Sequence, residues 1–296
     1  MKNLSISFTL GKGMAEHGSN IQHNNRKFTA KNVDETRFTS NITYKQQYIE
    51  DAYNQLFGKA LREYNAKQKK ECRKINDYYA HIVRGRREEP FYEVIVQFGD
   101  CHTAASGTPD GDRVKAMLDE YMKMFQVRNP NLYVFNAVLH DDEASPHLHI
   151  DFIPFYTHGR KIGLSKGVSM RAALREMGYV PKNSSVNQLV MWEEAERKFM
   201  EELLHRHGYE RNNKDAHYPH MTVEQYKASR GLLYQQTTAS LLYTASGSAG
   251  SNPNFSQQAG QSPMSVISER RCLPSGAYRS YLAKPFSRSI VRYRQF

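Results

Sequence analysis

Cysteine, tryptophan and long apolar runs are all scarce in this chain. Its 3 cysteines, Cys72, Cys101 and Cys272, are odd in number and widely scattered, so they imply no disulfide framework and fit a reducing, cytoplasmic setting. No apolar stretch approaches the roughly 20 residues needed to span a bilayer, so no membrane insertion is expected. The opening MKNLSISFTLGKG has too short an apolar stretch for a signal peptide and alternates like a strand. Acidic residues are thin at both ends. Residues 1–87 carry 17 Lys/Arg against 8 Asp/Glu, and residues 231–296 carry 7 against 1, whereas residues 88–230 carry 17 against 21. The formal charge of +11 therefore divides into a basic N-terminal third, an acidic and His-rich centre, and a basic end. That distribution suits a polyanion held by one part of the chain and processed by another.

At 296 residues and 39% hydrophobic, the chain is long enough to bury a sizeable core. A first strand is expected at about 4–10. Residues 43–80 read as helix, with Tyr44, Tyr48, Ala52, Leu56, Ala60 and Tyr64 at near-helical spacing. FYEVIVQFGD (91–100) reads as a strand, and GDRVKAMLDEYMKMFQVRNP (111–130) as an amphipathic helix stopped before Pro130. Two further strands flank Asp141–Pro146. Ser169 is expected to cap a short helix ending at Gly178. Residues 186–207 read as a helix with Leu189, Trp192, Ala195, Phe199 and Leu203 inward, and with His205 and His207 as cations at its C-terminal end. This order indicates an α+β fold, a central antiparallel sheet with flanking helices. Residues 231–268 are uncharged and rich in Ser, Gly and Gln, and are expected to be a disordered linker. Residues 269–296 form a basic tail with interleaved aromatics, a mix able to grip single strands by phosphate contact and base stacking.

The most informative stretch is HDDEASPHLHIDFIPF, residues 140–155. Side chains alternate across a strand, so His147, His149 and Asp151 share one face and Leu148, Ile150 and Phe152 the other. The preceding run NLYVFNAVLH also reads as a strand, and a six-residue connection would bring His140 beside His147. Three imidazoles then converge as a site for a divalent metal; Zn, Mn, Fe, Ni and Cu all suit such ligands. Asp141 and Asp142 are expected to solvate or cap the turn.

A second stretch, IQHNNRKF (21–28), sets His23 and Arg26 around two Asn in a polar loop. HNNR near the start and HDDEASPHLH in the centre together resemble the MobV/Pre-type plasmid mobilisation relaxases, plasmid recombination enzymes of the His-hydrophobic-His (HUH) endonuclease superfamily. That family's patterns are H-N-x-R and H-x-D-E-x-[ST]-P-H-x-H. GRKIGLSKGVSMRAALREMG and HYPHMTVEQYK also look like later segments of the family, so the likeness covers about residues 1–230.

The resemblance implies a relaxase domain over 1–230 that nicks and rejoins one DNA strand at a plasmid transfer origin. It implies a covalent adduct with the 5′ phosphate and, as partners, plasmid DNA and the conjugative transfer machinery. Carried over, His140, His147 and His149 hold a divalent metal, Mn²⁺ or Mg²⁺, His23 is the nucleophile, and Glu143 is the carboxylate beside it. Arg26 would grip the phosphate and Asn24 would position the loop, with Lys27, Lys161, Lys166 and Arg171 as further DNA contacts. DNA specificity is expected from the basic 26–87 region. Tyr44 is the rival nucleophile. Many family members continue into long helical C-terminal regions; here the uncharged linker and basic tail follow instead, which leaves homo-oligomerisation open. The alternative reading is a non-cleaving DNA-binding repressor or accessory protein of the same fold.

Overall fold

A computed structural model describes residues 2–13, 21–30, 32–158, 163–181 and 187–212. Lys161, HYPHMTVEQYK, the linker and the tail lie outside the described residues. In chain order the elements are β1 (Lys2–Leu4), β2 (Ile6–Lys12), α1 (Ile21–Asn24), β3 (Ile42–Gln46), α2 (Ile49–Ala66), α3 (Tyr78–Gly85) and β4 (Tyr92–Phe98). There follow α4 (Pro109–Arg128), β5 (Leu132–His140), β6 (His147–Tyr156), β7 (Gly167–Val168), α5 (Met170–Glu176), α6 (Gln188–Arg206) and β8 (Tyr209–Arg211). A 3-10 turn, Glu35–Ser40, precedes β3.

The central sheet runs β2-β4-β6-β5-β3, antiparallel throughout, with β7 appended to β6. The expected α+β architecture is the observed one. β1 and β8 form a separate parallel pair.

One face of the sheet is wholly apolar. Val94, Val96, Leu148, Ile150 and Phe152 point there and pack with Val114, Leu118 and Phe125 of α4, Leu174 of α5, and Trp192 and Leu203 of α6. Buried aliphatic and aromatic side chains of this size stabilise the fold by about 1.5–3 kcal/mol each. The other face is divided. Its lower half, with Phe91, Phe135 and Ile153, packs under Tyr53 and Phe57 of α2 and Tyr78 of α3. Its upper half carries polar residues. On β6 the change falls between Asp151 and Ile153, two positions of the same face. On β5 an irregularity between Val134 and Asn136 shifts the alternation, so that Asn136, Val138 and His140 follow Tyr133 and Phe135 on that face.

Sequence caps fix the helices. Thr108 accepts from Gly111 N, with Pro109 in the first turn of α4; Ser169 and Asn187 do the same for α5 and α6. The expected helix over 43–80 is a misreading of three elements. Ile42–Gln46 is the edge strand β3, favoured by Ile42, Thr43 and Tyr44, and the helix begins only at Ile49. Tyr48, assigned to the inward stripe, is 80% exposed, and the buried face is Ala52, Tyr53, Phe57 and Ala60. In α6, Ala195 is exposed and Glu196 is buried instead.

Candidate active site

The β5–β6 hairpin pairs His140 directly with His147, as its sequence requires. His149 lies across from Val138, and the three rings converge: centroids are 5.2 Å apart for His140–His147, 4.7 Å for His140–His149 and 5.0 Å for His147–His149. All three are buried. Each outer nitrogen is taken by the fold. His140 Nε2 donates to Asn24 O at 2.8 Å, His147 Nδ1 to Ser145 O at 3.0 Å, and His149 Nδ1 to Glu93 Oε1 at 2.7 Å. Those contacts place the proton of each neutral ring on the outer nitrogen and the lone pair on the inner one. His140 Nδ1 and His149 Nε2 are buried and make no hydrogen bond. Burial, reinforced by the neighbouring imidazoles, holds both rings far below the usual histidine range, so both are neutral. Buried, neutral donors whose inner nitrogens are unpaired are what a metal ion requires, and the residues present fit one.

α1 brings His23 to the same point, its ring 5.7 Å from that of His140 and 6.2 Å from that of His149. Donor atoms of His23, His140 and His149 form one cluster close enough to hold an ion, and those of His140, Glu143 and His147 form a second. His140 belongs to both, whereas His147 and His149 fall in different clusters.

Glu143 ties the two stretches of sequence together. Its Oε1 lies 3.4 Å from His23 Nε2 and accepts from Arg26 Nη2 at 2.8 Å, and its Oε2 accepts from Asn32 Nδ2 at 2.7 Å. Burial alone would push the carboxyl up, but His147, the His23 hydrogen bond and Arg26 together hold it down at about 2. It is ionised at any working pH.

Arg26 departs from its expected role. Its Nε and Nη2 grip Asp142 at 2.8 and 2.5 Å, Nη2 also reaches Glu143, and Nη1 donates to His23 O at 3.1 Å. The guanidinium is therefore an internal clamp rather than a free phosphate fork. It also holds Arg26 at φ 50°, a left-handed position at which an arginine is costly. Asn24 is likewise internal: its Nδ2 donates to Glu93 at 2.8 Å and to Asp151 at 3.3 Å. Asp141 and Asp142 are not solvated. Asp142 is buried under Arg26 and Asn41, and Asp141 under Arg37 and Lys115. Two adjacent carboxylates at a hairpin tip are tolerated there because three cations close over them.

Tyr44 is not brought to this site. It sits on the apolar side of β3, donates to Asp119 of α4 at 2.9 Å, and has its hydroxyl pushed far above the usual phenol range by burial and by Asp119. Lys27 and Arg171 are exposed, and Lys166 lies 4.2 Å over the Phe155 ring. Sequence reasoning placed Asp151 on the histidine face but gave it no role, and it passed over Glu93, Asn136 and Asn32. Glu93 opposes Asp151, which opposes Asn136, in a polar row across β4, β6 and β5 beneath the histidines. The signal for Glu93 and Asn136 was a polar residue at an alternating position inside FYEVIVQF and NLYVFNAVLH.

A sequence profile of the Mob_Pre family, described as plasmid recombination enzyme, matches residues 20–228. Among solved structures, the MobM relaxase domain (MOBV; Mob_Pre) bound to 22-nucleotide oriT DNA of plasmid pMV158, Mn-bound at pH 5.5, is 17% identical and covers 77% of this chain and 100% of its own, with a TM-score of 0.44. The same domain crystallised at pH 4.6 is 15% identical over 76% of this chain and 99% of its own, with a TM-score of 0.45. A third, with a 3′ thiophosphate, is 17% identical over 77% and 99%, with a TM-score of 0.42. None of the curated proteins compared matches the chain.

Proposed function

The chain belongs to the Mob_Pre family of plasmid recombination enzymes, and on that premise we propose that it is a DNA relaxase that nicks and rejoins one strand at a plasmid transfer origin. The observation that carries this reading is the junction of His23, Glu143 and three inward-facing imidazoles at one buried point. His23 is the proposed nucleophile. Its Nε2 lies between Glu143 Oε1 at 3.4 Å and Arg26 Nη1 at 3.3 Å, which together orient the ring. A ring nitrogen of His23 forms a bond to the scissile phosphorus and the bond to the 3′ oxygen breaks, that oxygen taking a proton from water to leave as the 3′-OH; the product is a phosphoramidate to the 5′ phosphate. A carboxylate held at about 2 is too weak a base to keep a proton taken from the ring. Its work is to orient the ring and to balance the positive charge that develops on it, as the buried Asp does in a Ser-His-Asp triad. The reverse step, attack of a free 3′-OH on the same phosphorus, restores His23 and the phosphodiester without an outside energy source.

His140, His147 and His149 would hold a divalent metal, which when bound supplies Lewis acidity towards the non-bridging phosphate oxygens. An all-imidazole set suits Mn²⁺ better than Mg²⁺, which takes oxygen ligands, and the similar MobM structures are Mn-bound. Asn24, Ser145 and Glu93 aim the three rings. Arg26 keeps His23 and Glu143 in register. Exposed Lys27 and Arg171, with Lys166, are the proposed phosphate contacts.

Incubation with Mn²⁺ and DNA flanking its own gene, read by denaturing gel and peptide mass spectrometry, tests the proposal. The expected product is an acid-labile adduct on His23, lost in His23→Ala. An acid-stable adduct on a tyrosine would overturn the mechanism and keep the activity. DNA retained with no adduct would leave a binder of the same fold.

A further inference from the structure

A cleft of about 220 Å³ opens beside the histidines, between the end of α1 and the edge strand β3. Val138 and Thr43 line it and are paired in register; Val138 is also the cross-strand neighbour of His149, so the cleft adjoins the imidazole cluster. Asn25 and Arg26 line it from the turn after α1, Phe38 from the 3-10 turn, and Gln46 from the end of β3. Its character is amide and aromatic, without a free carboxylate. The nearby carboxylate Asp142 is clamped by Arg26 and Asn41.

Two observations point to a ligand. Asn25 Oδ1 is buried and makes no hydrogen bond, whereas buried amide oxygens are ordinarily satisfied. Phe38 is 37% exposed, although aromatic rings of a compact domain ordinarily turn inward. An exposed aromatic face beside an unsatisfied amide suits an extruded base, held by stacking on the ring and hydrogen bonding at the base edge.

We infer that this cleft receives one unpaired nucleobase of the DNA strand, that of a nucleotide flanking the phosphate held at the histidines. Phe38 supplies the stacking face, and Asn25 and Gln46 read the edge; a base with an exocyclic amine matches the unsatisfied Asn25 acceptor. A cleft of about 220 Å³ is on the scale of a single unpaired base. This rests on the relaxase reading and gives it a means of choosing among phosphates that are chemically alike.

An abasic scan tests it. Single-stranded oligonucleotides spanning the origin, each missing one base, are measured for binding by fluorescence anisotropy in EDTA and for nicking with Mn²⁺. One position is expected to lose about tenfold in affinity, within the range of a stacked base. In Phe38→Ala the intact oligonucleotide should bind about tenfold more weakly and the penalty at that one position should vanish, other positions keeping theirs; Gln46→Ala should blunt only the preference for base type there. A uniform scan, or a penalty that persists unchanged in Phe38→Ala, overturns the inference even where nicking is robust. Loss of nicking in every oligonucleotide, with the single-position binding penalty intact, would instead remove the relaxase reading and keep the base pocket.

Discussion

Replacing Glu93 by Gln separates tuning of the imidazoles from mere support of the sheet. Glu93 Oε1 lies 2.7 Å from His149 Nδ1 and 2.8 Å from Asn24 Nδ2. Gln keeps the length and one acceptor oxygen, so both contacts can persist and only the charge goes. A hydrogen bond to a charged acceptor is about twice as strong as its neutral counterpart, and it raises the basicity of the opposite ring nitrogen. Loss of such an outer partner costs about 10–100-fold in metal affinity, equal to about 1.4–2.7 kcal/mol. The effect on folding has the opposite sign. Glu93 stands directly across from Asp151, and both are buried; like charges so placed destabilise a strand pair by roughly 0.2–1 kcal/mol. Metal-free Glu93→Gln should therefore melt at or above the wild-type temperature while binding Mn²⁺ 10–100-fold more weakly in calorimetry. A purely structural role would lower stability and leave the affinity per folded molecule intact. Unchanged Mn²⁺ affinity in the folded variant would refute the argument that this carboxylate tunes His149.

Tyr44→Phe should keep adduct formation at the wild-type level and cost about 1 kcal/mol of stability through the lost bond to Asp119; loss of the adduct in a folded variant would reinstate the tyrosine. Glu196→Ala should destabilise by about 3–5 kcal/mol in urea. It leaves Arg128, whose Nη2 is 2.6 Å from Glu196 and whose Nε and Nη1 make no hydrogen bond, with only its stacking over Phe199 and Tyr121, and it removes an acceptor from Tyr121 and Asn129. Glu176 accepts from the backbone of Thr157 and His158 and from Asn131; although burial pushes its carboxyl up, these bonds bring it below the ordinary 4.5. A carboxyl depressed in the folded state adds stability above its unfolded value and loses it as pH falls through the folded one. Thermal melts below pH 4.5 should thus decline more steeply for the wild type than for Glu176→Gln, and equal slopes would count against the linkage.

The hairpin was legible because its information is local. H-x-H on an alternating strand, a short loop and a third His at the end of the facing strand leave one register that brings all three together, and His140 does pair with His147. β3 was not legible for the converse reason. TYKQQY has polar residues at helical as well as strand spacing, and what makes it a strand is β5, about ninety residues later, offering an unpaired edge. The same lack of distant partners explains why Arg26, Asp141 and Asp142 read as solvent-facing. An arginine in a polar loop and two aspartates in a turn each read as solvent-facing when taken alone, since burying any one of them unpaired is prohibitive. Paired, the cost changes sign. Arg26 and Asp142 can both be buried only together, and by meeting they fasten the loop that carries His23 to the loop that carries Glu143. The resemblance to a family put His23 and Glu143 in one site, but the clamp that holds them 3.4 Å apart is made of residues to which local reading gave surface roles. A clamp already satisfied in the protein has no valence left for phosphate, so under the proposed function phosphate contact falls to cations outside it, and Lys27, exposed on the residue after Arg26, is the one nearest in sequence.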